Sequence, residues 1–172
     1  MGSKELLREW LKAERMRMPA REAARLSEII VDRVLDTVDW NSVETVHLYT
    51  PLSAQHEVDA RRLLEKIWQI HPAIRTATWG KAKSSWVDQS GRAPAPESQQ
   101  YDLVIVPLIG FNEQCHRIGF GGGSYDRFLS GQSHAQAVGL SYDFALCDFE
   151  PEEHDVALDA VATEKNWYIR KG

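Results

Sequence analysis

Apolar residues along the chain fall into two rhythms, one helical and one of strand period. Leu7, Leu11 and Met18, joined by Trp10, recur at helical spacing and predict a first amphipathic helix over residues 3–18, with Ser3 as its cap. Met18-Pro19 ends that helix. Pro19 suits the first turn of a second, over residues 20–37, which carries Ala24, Ile29, Ile30, Val34 and Leu35. Trp40-Asn41 reads as a turn, and residues 43–50 alternate as a first strand. The segment PLSAQHEVDARRLL leads from that strand into a helix starting near Asp59. Residues 74–79 form a second, parallel strand, 84–87 a short strand or hairpin arm, and 91–100 a Pro/Gly-rich polar loop. Residues 103–106 stand apart: uninterrupted, apolar, rich in β-branching and stopped by Pro107. That is the pattern of a strand buried on both faces at the centre of a parallel sheet. Gly131 closes a short helix, and residues 135–141 make a further buried strand.

Length and charge narrow the classes. A chain of 172 residues suits one domain, residues 1–172, with a core that needs no staples. A net charge of −5 provides no overall positive field for nucleic acid, though it leaves room for a local basic pocket. Cys115 and Cys147 lack metal or disulfide spacing, so reduced thiols in a cytoplasmic protein are the simpler expectation. No run of apolar residues approaches a membrane span, and no secretory h-region precedes the first helix.

The chemistry concentrates after the buried strand. Arg117 stands just ahead of Gly119, Gly121, Gly122 and Gly123, and SYDRFL follows, with Ser124 placed to cap a helix. Strand, glycine loop and helix start form a layout that holds phosphate, because loop N–H groups and the helix dipole both favour an anion. Neither a P-loop nor a dinucleotide fingerprint fits these glycines, and a merely tight turn remains an alternative. Elsewhere the residues leave two readings open. Lys4, Arg8, Lys12 and Arg15 share a basic face that is either solvated or a site. Glu57 either favours a helix dipole or binds a ligand, and Trp79 and Trp86 are either core or an aromatic wall. The acidic run EPEEHDVALDAVATE reads as exposed loop. His154 has no partner spaced for zinc, and no Ser-His-Asp or Cys-His set is present.

The stretch VPLIGFNEQCHRIGFGGGSYDRFL resembles the signature of the 5-formyltetrahydrofolate cyclo-ligases, with Arg117-Ile118-Gly119 and Tyr125-Asp126-Arg127 as anchors. It departs from that signature at Asn112, Cys115 and Ser124, where the family has Asp, Gly and Tyr. The resemblance extends to Lys4 and Arg8, to Tyr49-x-Pro51-Leu52 with Glu57-Val58-Asp59, and to Pro151, His154, Asp155, Asp159, Thr163 and Glu164. It implies an α/β fold of three α/β/α layers around a mostly parallel, Rossmann-like open sheet, in agreement with the order of elements above. It implies ATP-dependent cyclisation of 5-formyltetrahydrofolate to 5,10-methenyltetrahydrofolate, with release of ADP and phosphate. ATP would then be held by Lys4, Arg8, Arg117, Gly119, Gly121, Gly122, Gly123, Ser124 and Tyr125. The folate would be held by Leu52, Glu57, Phe120 and Tyr125, and Mg²⁺ by Asp126 and Asp155. Arg117 and Tyr125 would act at the reacting groups, with Arg127 turned to the site or to solvent. Expected partners are these small molecules, with neither nucleic acid nor membrane, in a monomer or weak dimer. The three departures motivate one alternative, a paralogue that binds ATP but another substrate; a second is a non-catalytic nucleotide-binding regulator, against which the retained Asp126, Asp155, Lys4 and Arg8 argue.

Overall fold

The computed structural model of the chain describes residues 3–79, 84–88, 91–94 and 99–171. Helix α1 (Lys4–Arg17) starts as expected, with Ser3 Oγ accepting from the Leu6 N–H at 3.2 Å. Helix α2 (Ala20–Thr37) follows directly, with Pro19 at its N-cap rather than in its first turn. Helix α3 (Ala60–Ile70) is capped by Asp59, which accepts from the Arg61 N–H, so its predicted start holds.

The sheet is built around the all-apolar segment. Strands β1 (Thr45–Leu48), β2 (Arg75–Trp79), β5 (Leu103–Pro107), β8 (Gln136–Leu140) and β9 (Ala160–Ala162) pair in parallel, in the spatial order β9-β8-β5-β1-β2. Strand β5 lies at their centre, and each of its residues is buried. Its side chains alternate between two cores. Leu103 and Ile105 join Ile30, Val34, Leu63 and Ile67 of α2 and α3, whereas Val104 and Val106 join Leu11 of α1 and Leu129. Helices therefore cover both faces, as three-layer packing requires. The Asp102 carboxylate accepts from the Glu44 and Thr45 N–H groups at 2.8 and 3.0 Å, which ties β1 to β5 at their amino ends.

The expected arm at 84–87 is present, and the edges extend beyond the expectation. Strands β3 (Ser84–Asp88) and β4 (Gly91–Pro94) extend the sheet antiparallel beyond β2, and β10 (Trp167–Ile169) runs antiparallel to β9. The start of the predicted 91–100 loop is thus a strand, while residues 95–98 lie outside those described. Turn-type residues at a sheet margin can pair on one side and still read as loop in sequence. Strands β6 (Gly110–Phe111) and β7 (Arg117–Ile118) form a small hairpin that the sequence did not announce, ahead of helix α4 (Ser124–Ser130). Among the described residues, no helix is long and apolar enough to cross a membrane.

Because Ile105 is fully enclosed, Ile105→Ala is expected to cost about 2–5 kcal/mol. Denaturant unfolding should show this as a lower midpoint with an unchanged slope.

Candidate functional site

Parallel strands collect ligands beyond their carboxyl ends, and a cleft lies there. Trp79 and Pro107, the last residues of β2 and β5, line it. The glycine loop and the start of α4 form one wall, and Lys4 and Arg8 of α1 reach it from another element. Its volume, about 360 Å³, falls in the range of small-molecule sites.

The β6-β7 hairpin turns Arg117 inward. Its guanidinium is 8% exposed, lies 3.6 Å from the Asp126 carboxylate, and sits 5.5 Å from the Tyr125 ring centroid. Burial lowers the Arg117 pKa and the Asp126 charge opposes that shift, while Nε has no acceptor among the described residues. Close passage of this side chain requires Gly119, since a Cβ there would stand 2.3 Å from Arg117 Nη1. Gly121 and Gly123 take φ of 99° and 69°, a left-handed path that L side chains avoid. Gly123, not Ser124, is the N-cap of α4, and Ser124 is its first helical residue, facing the cleft. The N–H groups of Gly121 and Gly122 donate to no acceptor among the described residues. With α4 only two turns long, these amides and the nearby cations count for more towards an anion than the helix dipole does.

The cations are already engaged. Arg8 Nε donates to the Gly119 carbonyl at 2.7 Å. Lys4 pairs with the Asp155 carboxylate and stands 3.5 Å from Glu152. Burial alone would raise the Asp155 pKa, but the Lys4 ammonium, the Glu152 N–H and His154 outweigh it and hold the carboxyl below the ordinary aspartate range. Asp126 accepts from the Val156 N–H at 3.1 Å, which brings the acidic run against α4. Among the described residues no three His, Cys, Asp or Glu side chains could hold an ion by themselves. Asp126 and Asp155 nevertheless suit Mg²⁺, which takes one or two protein carboxylates and completes its shell with water and phosphate oxygens.

A second group of residues lies in the loop after β1. Glu57 is 7% exposed, and its Oε2 accepts from the Leu52 N–H at 2.6 Å. Burial raises its pKa, while that N–H and the Arg15 charge oppose the rise. Leu52 and Phe120 are exposed apolar side chains, with Phe120 on the cleft wall. Trp79 meets Tyr125 edge-on at 4.7 Å in the cleft, whereas Trp86 stacks under Arg75 and beside Tyr101, so the proposed wall of two tryptophans reduces to Trp79. The Tyr125 hydroxyl has no partner among the described residues, and burial raises its pKa well above the usual phenol value. Arg127 is exposed and donates to the Gly122 carbonyl at 3.2 Å.

Two expectations need correction. Arg15 does not share the basic face of Lys4 and Arg8 but is buried, because it falls one helical step beyond Leu11 within the apolar stripe. That position was readable from the spacing. Asn112 and Cys115 do not line the cleft. Asn112 Oδ1 accepts from the Gln114 and His116 N–H groups while Nδ2 donates to the Phe149 carbonyl, and Cys115 is fully buried. Of the three departures, Ser124 alone faces the site. Glu152, which also lines it, carried no signal beyond its place in an acidic run, whereas His154 was marked only by the resemblance and without a role.

The family model described as the 5-formyltetrahydrofolate cyclo-ligase family matches residues 1–164. A 5-formyltetrahydrofolate cyclo-ligase of Mycoplasma pneumoniae is 29% identical over 165 residues, 94% of this chain and 99% of the relative. The enzyme of that name from Escherichia coli K12 is 44% identical over 70 residues, 38% of each chain. Among solved structures, a 5,10-methenyltetrahydrofolate synthetase from Mycoplasma pneumoniae superimposes with a TM-score of 0.79 at 27% identity, covering 95% of this chain and 99% of the other. One from Aquifex aeolicus gives 0.76 at 24% identity, covering 98% and 94%, and supports the fold.

Two outcomes are expected from this geometry. Gly119→Ala should change the melting temperature little, since the clashing Arg117 tip can swing away, yet weaken nucleotide affinity in calorimetry because that tip leaves its place. The Lys4–Asp155 pair concerns a carboxyl whose folded pKa is depressed. Its contribution is therefore present above the unfolded value and is lost as pH falls through the folded one. Lys4→Met should be less stable than the parent by on the order of 1 kcal/mol near neutrality, and the gap should shrink in unfolding titrations as pH falls below the ordinary aspartate range.

Proposed function

The chain belongs to the 5-formyltetrahydrofolate cyclo-ligase family, one of ATP-dependent ligases, and from that premise we propose how its cleft carries the reaction. The protein joins N10 of 5-formyltetrahydrofolate to the formyl carbon, at the expense of ATP. The observation that carries this reading is convergence: Lys4, Arg8, Arg117, Tyr125, Asp126 and Asp155 come from four separate stretches of chain to one glycine loop.

A formamide oxygen is a poor leaving group. Transfer of the γ-phosphoryl group to it breaks the bond to the bridging oxygen of ATP and releases ADP. The N10 lone pair then attacks the activated carbon, the carbon–oxygen bond breaks, and phosphate departs with the N10 proton. No enzyme nucleophile is needed, so the residues position two substrates and balance charge. Gly121 and Gly122 amides, Arg8 and Arg117 receive the phosphates. Lys4 leaves Asp155 for a phosphate oxygen, which frees that carboxylate. Asp126 and Asp155 would hold Mg²⁺, which when bound neutralises phosphate charge. Glu57 accepts from N–H groups of the reduced pterin, Leu52 and Phe120 cover its apolar surface, and Tyr125 with Trp79 lines the space between nucleotide and folate. The protein works on these small molecules in the cytoplasm, as a monomer or weak dimer. The burial of Asn112 and Cys115 away from the cleft speaks against a paralogue with a reshaped folate pocket.

The test is turnover. Purified protein with 5-formyltetrahydrofolate, Mg²⁺ and ATP should develop the near-ultraviolet band of the methenyl product, and a sample without ATP should not. ATP binding without any rise would reject the proposal. Arg117→Ala should keep its circular dichroism spectrum and lose about 10²-fold or more in kcat/KM, the loss typical of one transition-state donor.

A further inference from the structure

The glycine loop has a hollow on each face. Gly121, Gly122 and Gly123 line the cleft on one side and an adjoining hollow on the other. Arg127, exposed on α4, reaches the loop from the adjoining hollow rather than from the cleft. Its Nη1 donates to the Gly122 carbonyl at 3.2 Å, and its main-chain N–H donates to the Gly123 carbonyl at 3.1 Å. One residue thus draws two successive carbonyls of the loop towards α4. The approach depends on the bare backbone at Gly123, where a Cβ would stand 3.1 Å from that same Nη1. Arg8 holds the start of the loop from the other side, through the Gly119 carbonyl.

A peptide unit is planar and trans, so its C=O and N–H point in opposite directions. With the Gly122 carbonyl held on the Arg127 side, the N–H of the same unit, that of Gly123, is turned towards the cleft. It donates to no acceptor among the described residues. This unit lies between two glycines, which accept φ of either sign about equally, so steric hindrance does little to stop it from flipping. Its orientation needs a hold from outside the loop, and the Arg127 guanidinium supplies one. We propose that Arg127 is a positioning residue for the nucleotide: it holds the Gly122–Gly123 peptide so that the Gly123 N–H is presented to the phosphates. This rests on the ATP reading above. Arg127 acts through the backbone of the loop and touches no phosphate itself.

The experiment measures binding of ATP with Mg²⁺ by calorimetry, without folate, for the full chain, Arg127→Met and Arg127→Lys. It is run at about 0.1 M and about 1 M salt, where charges are screened beyond about 10 and 3 Å. Arg127→Met should bind ATP about tenfold more weakly, the low end of what one hydrogen bond to a charged group contributes. That ratio should survive at the higher salt, because an N–H in contact with phosphate is not screened as a distant charge is. Arg127→Lys keeps a donor of similar reach and should recover most of the loss. In protein carrying isotope-labelled glycine, the Gly123 amide resonance should move when ATP and Mg²⁺ are added to the parent. In Arg127→Met it should move far less, while Gly121 still responds. A loss that disappears at the higher salt, or a Gly123 resonance that responds equally in both proteins, would overturn the proposal. If the parent chain binds no ATP, the functional reading fails; if it binds and Arg127→Met binds equally well, only the role of Arg127 fails.

Discussion

Cations gathered for a polyanion repel one another until it arrives, and the arrangement around the glycine loop follows from how that repulsion is met. Lys4 is matched by Asp155 and Glu152, Arg117 by Asp126, and Arg8 by a carbonyl of the loop itself. The matches of Lys4 and Arg8 join segments far apart in sequence, so the electrostatic solution is also a structural one. It docks the first helix and the acidic run onto the same loop. Such pairs contribute modestly at an exposed surface, but Arg117, Asp126 and Asp155 are sheltered, where screening by water is weak.

The sheet makes this convergence possible. A strand buried on both faces must sit at the centre, and its parallel neighbours deliver their carboxyl ends to one edge. Trp79 and Pro107, the last residues of β2 and β5, therefore arrive together at the cleft. The hairpin after β5 then reverses the chain just far enough to aim Arg117 back under the loop.

The parts of this molecule that were legible in sequence were those set by local spacing. Ser3, Asp59 and Gly131 mark helix ends because their chemistry is local, and Leu103 to Val106 announces its place by composition. The glycine cluster announced a site, and its resemblance to a known signature named the chemistry. What escaped depended on partners distant in the chain. Residues 91–94 pair as a strand only because β3 is beside them, and residues 110–118 form a hairpin too short for any periodicity. Ser124 had the right chemistry for a cap, but the left-handed turn at Gly123 ends the loop one residue sooner. Arg15 was misjudged for a different reason: its charge suggested water, while its position, four after Leu11, placed it inside.

Asn112 shows what such a motif conserves. Its amide oxygen receives the same two N–H groups that a carboxylate would, and its extra donor finds the Phe149 carbonyl. Three residues on, in the turn that it holds, Cys115 adopts a φ of 61°, a conformation that costs about 1–2 kcal/mol for a residue with a Cβ. One residue holds the turn through its side-chain hydrogen bonds, and the other accepts a left-handed backbone. A motif written in letters counts two mismatches here, yet in this chain both residues serve the turn, Asn112 through three hydrogen bonds of its side chain and Cys115 through its backbone angle.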